Sequence, residues 1–509
     1  MRIALEIPPG IIGDDTTYAA PGRWGDCDGV RFRGSKPETV GGWERVTDDL
    51  LTGVCRSVLA WTDNTNNALH LAFGTNEALQ LWTGGQLYDI TPTADFTPGA
   101  ENGTGSVGWS TGAYGVGTYS TPSASDYFPL TWSLAAWGQK LLGNPRGQTI
   151  FEWSNNTAVE AAAISGAPDN VTYMLVAPTR QVFALGCNEE GSGTFNPVCI
   201  RHSSVGDNTD WTTTSSSAST AREYILPGGG RIVSGRMVGR SLLVWTNQSL
   251  FLGTYYGQIG KVWGFERVGD KCGLIGPNAV AVFGSTAYWI GPDRQFRVYS
   301  LGGTVDIIPC PVRTEFSEYL SAAQSDKIVG STISEYAEVR FDYPDSRDGF
   351  ENSRYVALCV SGPDAGAWYK GQIERSAMVD AGPSSYPCGV SPDGEIYWHE
   401  KGAADGDNAR SCYIETSDIE LDEQNTVLAR TCWPDLKDQE GPVWMTVITR
   451  NDPEGDETTF GPYAIAPSQD RVDFKIPGRL FRIRFAANSL PARFRIGRPV
   501  FDVKSRGRK

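Results

Sequence analysis

From residue 54 to about 405 the chain is a succession of short apolar runs cut by polar breaks rich in Gly, Pro, Asn and Asp. That punctuation limits the fold more than any other feature. In the stretch 241–257, Leu242-Leu243-Val244-Trp245 is interrupted by Thr246-Asn247-Gln248. A second apolar run follows, with glycines at 253 and 257. Two β-branched or aromatic runs around a short polar break predict a hairpin. Val58-Leu59-Ala60-Trp61, Leu69-His70-Leu71-Ala72-Phe73-Gly74, Leu79-Gln80-Leu81-Trp82 and Leu87-Tyr88-Asp89-Ile90 continue the pattern. Four short strands in roughly 40 residues have the size of one propeller blade. Six or seven such units fit between about 52 and 405. One of them is long, running from Glu338 through Ala377-Met378-Val379. The repeat is structural, without a strict WD or kelch signature.

Composition agrees with many short strands. Fifty-nine glycines, sixteen tryptophans and twenty tyrosines suit strands joined by tight turns. No long segment carries apolar residues at i, i+3, i+4 and i+7, so helices are expected to be few. A chain of 509 residues exceeds one ordinary core.

The expected organisation has three parts. Residues 1–51, broken by Pro8-Pro9-Gly10 and Gly13-Asp14-Asp15, form an extended arm that pairs with something later in the chain. Within the arm, Val30-Arg31-Phe32-Arg33 alternates as a strand with one polar face. Residues 52–405 form the β-propeller. Its insertion loop, 93–127, is rich in Gly, Ser, Thr, Ala and Tyr and is too poor in aliphatics to bury much surface. Residues 203–220 form a second such loop. Residues 406–509 alternate strictly in several segments, as in Val472-Asp473-Phe474-Lys475-Ile476, and predict an antiparallel β-sandwich or platform.

Charge argues against general affinity for phosphate backbones, because the net is −15. The last thirty residues run the other way. Arg495, Arg498, Lys504, Arg506, Arg508 and Lys509 make a basic tail that is a docking candidate, a solvated tail being the plainer alternative. The ten cysteines are scattered without a C-x-x-C pair, which points to buried free thiols rather than zinc or a secreted disulfide framework. No apolar run approaches the roughly 20 residues of a membrane helix. With Met1-Arg2-Ile3 running straight into Pro8-Pro9-Gly10, no signal peptide is expected, so synthesis and folding in the cytoplasm are expected.

Catalytic chemistry finds little footing. His70, His202 and His399 lie in different units, so neither a metal site nor a Ser/His/Asp triad is expected. Gly228-Gly229-Gly230 lacks the Lys-Ser/Thr of a phosphate-binding loop. Ser391-Pro392-Asp393-Gly394-Glu395-Ile396-Tyr397-Trp398 comes close to the Asp-box turn of sialidase-type propellers, but such a turn is structural. The expectation is a non-enzyme without cofactors. A sialidase-like glycosidase, which would need paired carboxylates, and a soluble propeller scaffold are the alternatives.

Three segments resemble tail hub or nozzle proteins of short-tailed bacteriophages. They are Gly22-Arg23-Trp24 with Asp28-Gly29-Val30-Arg31-Phe32-Arg33, Pro37-Glu38 and Gly41-Gly42-Trp43; Ile200-Arg201-His202-Ser203-Ser204 with Asp207-Asn208 and Asp210-Trp211-Thr212; and Arg482-Ile483-Arg484-Phe485 with Arg495-Ile496-Gly497 and Asp502-Val503. The resemblance implies a propeller with an added platform. It also implies six copies in a ring below the portal and adaptor, tail fibres or spikes outside, a channel that gates and conducts phage DNA, and residence in the virion tail. It transfers no catalytic residues. On this expectation the acidic loops carrying Asp405 and Asp407, and Asp452, Glu454, Asp456 and Glu457, face the DNA channel.

Overall fold

A computed structural model describes residues 1–103, 128–213, 219–228, 230–258, 261–422 and 425–507. The chain is all-β, built of many small antiparallel sheets. Among the described residues one α-helix, α1 (Arg313–Tyr319), and three short 3-10 turns interrupt the strands. Six four-stranded meanders follow one another, within residues 55–89, 132–163, 171–225, 232–269, 280–307 and 329–372. They are called sheets 1 to 6 below. Sheet 7 has three strands in sequence, Ala377–Val379, Cys388–Val390 and Ile396–His399. Its fourth is Trp43–Arg45 from the arm, which pairs His399 with Trp43 and Tyr397 with Arg45. The run Ala377-Met378-Val379 therefore opens a new sheet. It does not extend the unit before it, because Arg375 and Ser376 turn the chain after the edge strand Trp368–Gln372.

Local chemistry explains the hairpins. In sheet 4 the Thr246 hydroxyl accepts hydrogen bonds from the Gln248 and Ser249 amides at 3.1 and 2.8 Å. The neighbouring Asn247 carboxamide accepts from the Arg231 amide at 3.0 Å, just before the sheet's first strand. Sheet 1 repeats this at Thr75 and Asn76, whose side chains accept from Ala78 and Val54. One Thr-Asn pair thus closes the turn and anchors the entering strand.

Consecutive sheets pack face to face through separate apolar clusters. Trp61 and Leu81 meet Trp132 and Phe151 between sheets 1 and 2. Leu142 meets Met174 and Val182 between sheets 2 and 3, and Leu185 meets Leu242 and Val244 between sheets 3 and 4. A larger cluster joins sheets 4, 5 and 6. Sheet 7 then packs on sheet 1 through Cys388, Val390 and Ile396 against Leu71 and Phe73, with Trp398 edge-on to Trp82. The series closes on itself.

The remaining sheets form an outer lobe in which the arm is woven through the C-terminal strands. Arg2–Ala4 pairs with Val500–Ser505, Trp24–Asp28 with Cys412–Thr416, and the hairpin Val30–Arg33/Lys36–Thr39 with Arg493–Ile496. Burial alternates strictly along Val443–Arg450 and Val472–Gly478. The lobe rests on the outermost strand of sheet 6, where the Lys370 ammonium lies 2.8 Å from Asp26 and Asp28 accepts from the Gln372 amide at 2.8 Å. The polar face expected for Val30-Arg31-Phe32-Arg33 does not meet water at Arg31, whose side chain is 1% exposed. It meets two carboxylates from distant sheets.

All ten cysteines are free and buried. Burial pushes the Cys27, Cys55 and Cys310 thiols up to about 12 and Cys412 up to about 11. The thiolate is the reactive form, so native thiols are shielded twice. Ellman's reagent at about pH 8 is expected to titrate almost none of them until denaturant is added, and then all ten. Fast labelling of the native chain would contradict this packing.

Candidate functional site: a central cavity and a buried charge seam

The first strands of sheets 1 to 4, 6 and 7, with the chain entering sheet 5, line a cavity of about 560 Å³. Apolar side chains, with Val58, Leu134, Met174, Val329 and Met378 among them, share its walls about equally with polar groups, and it opens to solvent. Two guanidiniums, Arg56 and Arg236, stand in the wall. Among the described residues no Asp or Glu lines it. Arg236 is held by neutral groups alone. Its donors reach the Tyr173 hydroxyl, Ser234 Oγ and the Gly235 carbonyl, both at 2.9 Å, and Asn278 Oδ1 at 3.2 Å. Asn278 in turn donates to the Arg56 carbonyl, and its own carbonyl accepts from the Gly330 amide, so this one residue, just ahead of sheet 5, ties sheets 1, 4 and 6.

Near where the first strands begin, polar links join the sheets. Arg146 of sheet 2 lies 3.4 Å from Asp326, just ahead of sheet 6. Gly103 exchanges two hydrogen bonds with Gln324, at 2.9 and 2.8 Å. Arg56 and Lys327 share Glu351 at 2.5 Å each. Burial pushes Lys327 down to about 8, with Arg56 adding to the effect and Glu351 opposing it. Phe128 lies under two guanidiniums, Arg146 at 4.0 Å and Arg231 at 4.5 Å. Gly103, within the expected insertion 93–127, and Phe128, just after it, lie at this mouth; residues 104–127 lie outside the described residues. Beside it a groove of about 980 Å³ runs over sheets 2 to 4, with Asp95 and Asp169 as its carboxylates.

The seam between sheets 6 and 7 is unlike the others, being filled with charge. Arg31 from the arm grips Glu400 bidentately, at 2.9 and 2.6 Å, and lies 3.3 Å from Glu338. Tyr369 donates to Glu338 at 2.6 Å, and Arg31 stacks on Tyr336 at 3.8 Å. Burial pushes the Glu338 carboxyl up to about 7 against the pull of Arg31. Beyond it Arg340 pairs with Asp342, and Arg375 donates to His399 Nε2 at 2.7 Å. Burial, reinforced by Arg375, holds His399 well below its usual range, which keeps it an acceptor. Arg410 completes the seam by donating to the arm's Gly41 and Gly29 carbonyls at 2.8 and 3.2 Å.

The residues singled out in sequence fall elsewhere. Asp405 is half-buried, accepts from the Trp43 indole, and so helps hold the strand that completes sheet 7. Asp407 is exposed two residues on. Asp452, Glu454, Asp456 and Glu457 form the exposed tip of the hairpin Val443–Arg450/Thr458–Ile465 on the outer lobe, with Glu457 paired to Arg482. Two residues of the basic tail form ion pairs within the chain. Arg495 faces Glu38 at 3.8 Å and donates to the Arg33 carbonyl, and Arg498 pairs with Glu6 at 2.8 Å. Lys504, at the exposed end of its strand, and Arg506 have no carboxylate within 4 Å among the described residues, and Arg508 and Lys509 lie outside them. His70, His202 and His399 sit in sheets 1, 3 and 7, and burial pushes His202 down to about 4.

Sequence reasoning passed over Arg31, Glu338, Glu400 and Arg236. The available signal was an arginine inside an otherwise apolar strand, as in Ile232–Val238. No protein-family model matches this sequence, and no curated protein matches it either.

Proposed function

We propose that the seven four-stranded sheets are the blades of a seven-bladed β-propeller, and that the chain is a structural component of a phage tail, a hub or nozzle. The reading rests on one observation, the cyclic series of meanders whose last sheet is completed by Trp43–Arg45. That closure, with an outer lobe sewn on by the same arm, makes a stiff two-part body. Broad loop faces on such a body suit packing into a ring. Six copies would then stand under the portal and adaptor, with fibres or spikes outside. Phage DNA would pass through the ring. The propeller's own cavity, about 560 Å³, has the volume of a small-molecule pocket. In such a ring the acidic tip 452–457 and Asp407 are the exposed carboxylates available to line the lumen without binding the backbone.

Purified particles decide the question. Mass spectrometry is expected to find the chain in them, and cryo-EM to place multiple copies in a ring beneath the portal. Absence from particles, with the chain free in the lysate, would sink the reading and favour the soluble scaffold. Hydrolysis of a glycan substrate by the purified chain, lost on substituting Asp95 or Asp169, would favour the glycosidase.

A further inference from the structure

We propose that the central cavity is a binding site for a small amphiphilic anion, a single carboxylate or sulfate head on an apolar body. The cavity is concave, open and of ligand size, about 560 Å³, with walls that are mostly Val, Leu, Ala and Met. Those apolar side chains reward burial of an alkyl chain. The head group is specified by charge. In a chain of net −15, the cavity wall carries two guanidiniums and, among the described residues, no carboxylate.

The two guanidiniums differ. Arg56 is neutralised bidentately by Glu351 at 2.5 and 2.8 Å and serves the fold. Arg236 is half-buried, and among the described residues no Asp or Glu lies within 4 Å of it. Its neighbours are the Tyr173 hydroxyl, Ser234 Oγ, two carbonyls and Asn278 Oδ1, which orient it without cancelling its charge. The contacts toward Pro277 and Asn278 are the long ones, at 3.4 and 3.2 Å. An anionic oxygen would replace these with a charge-assisted bond, which is shorter and stronger than a neutral one. A cation of the same shape meets Arg236 as a like charge. A neutral alcohol gains only the apolar term.

The test is calorimetric titration of the full chain with octyl sulfate and octanoate below their micelle concentrations, with octanol and octylammonium as controls. Saturable one-to-one binding of the anions is expected, at least tenfold tighter than either control. Arg236→Met is expected to weaken the anions at least tenfold while leaving octanol unchanged. Ala135→Phe, which adds bulk to the cavity lining two sheets away with Arg236 intact, is expected to abolish binding of all four. Equal affinity for octyl sulfate and octylammonium, no saturation by the anions, or retained binding in Ala135→Phe would overturn the assignment. Should Arg236→Met fail to fold, Ala135→Phe and the head-group series decide it alone. None of these readouts depends on where the chain is found, so the site and the tail assignment stand or fall separately.

Discussion

Arg31→Met is expected to destabilise the chain by about 3–5 kcal/mol and to free the arm, because it leaves two carboxylates buried without their cation. Glu338 is fully buried, and the Glu400 side chain is 3% exposed. Neither can recover water when the guanidinium is removed, and Glu338 Oε1 already lacks a hydrogen-bond partner. Arg31→Met combined with Glu338→Gln should cost distinctly less than Arg31→Met alone, since one of the stranded charges is gone. The pH dependence has a definite sign. Glu338 is raised from 4.5 to about 7, so the native state holds its proton more tightly than the unfolded chain. Its contribution is fully present below about pH 4.5, declines as pH rises, and is lost above about 7. Across that window the decline is about 3 kcal/mol. Other carboxylates add their own slopes, so the quantity to measure is the difference in urea-unfolding free energy between the chain and Glu338→Gln at several pH values. The difference should move in favour of Glu338→Gln as pH rises from 5 to 7 and level off above. A flat difference would remove Glu338 as the titrating group. Proteolysis after Arg33, accelerated in Arg31→Met, reports release of the arm.

The strands themselves were legible because their signals are local. Alternation along Val472–Gly478 and the Thr-Asn turns at 75 and 246 depend only on neighbours a few residues away. An all-β chain of many small antiparallel sheets followed from the same signals. Closure was not legible. Nothing near Ile396–His399 announces that its partner is Trp43–Arg45, some 350 residues earlier, because pairing across that separation is decided by packing alone. The same limit hid the charge seam. Arg31 alternates with Val30 and Phe32 as a solvent-facing residue would. Only the arrival of Glu338 and Glu400 turns that face inward. Arg236 was passed over for the opposite reason, since a single arginine in Ile232–Val238 looks like an edge position until the first strands of other sheets stand around the same cavity. Composition counts the charges of the basic tail and cannot see that Arg495 and Arg498 face Glu38 and Glu6.

Deleting residues 1–51 is expected to abolish folding of the whole chain, whereas moving them is not. The arm supplies strands to four sheets, one of them sheet 7. It also buries Ile11, Trp24, Cys27, Val30, Phe32 and Val40. At roughly 1.5–3 kcal/mol per large apolar side chain, the loss reaches or exceeds the 5–15 kcal/mol that ordinarily separates folded from unfolded states. It would also expose unpaired edges at Ile396–His399, Cys412–Thr416 and Val500–Ser505, which are templates for aggregation. A circular permutant separates the arm's contacts from its position in the chain. The Met1 ammonium donates to the Val503 carbonyl at 2.8 Å, so a short Gly-Ser linker can join the two ends. New ends can open at Gly191–Ser192, in the exposed turn of the hairpin formed by Gln181–Asn188 and Phe195–His202. Every strand pair survives that change. The permutant should be soluble, with a cooperative urea transition near that of the original chain, while the deletion should be insoluble. A soluble, cooperative deletion would mean that six apolar seams and three strands of sheet 7 suffice, and that the arm closes nothing.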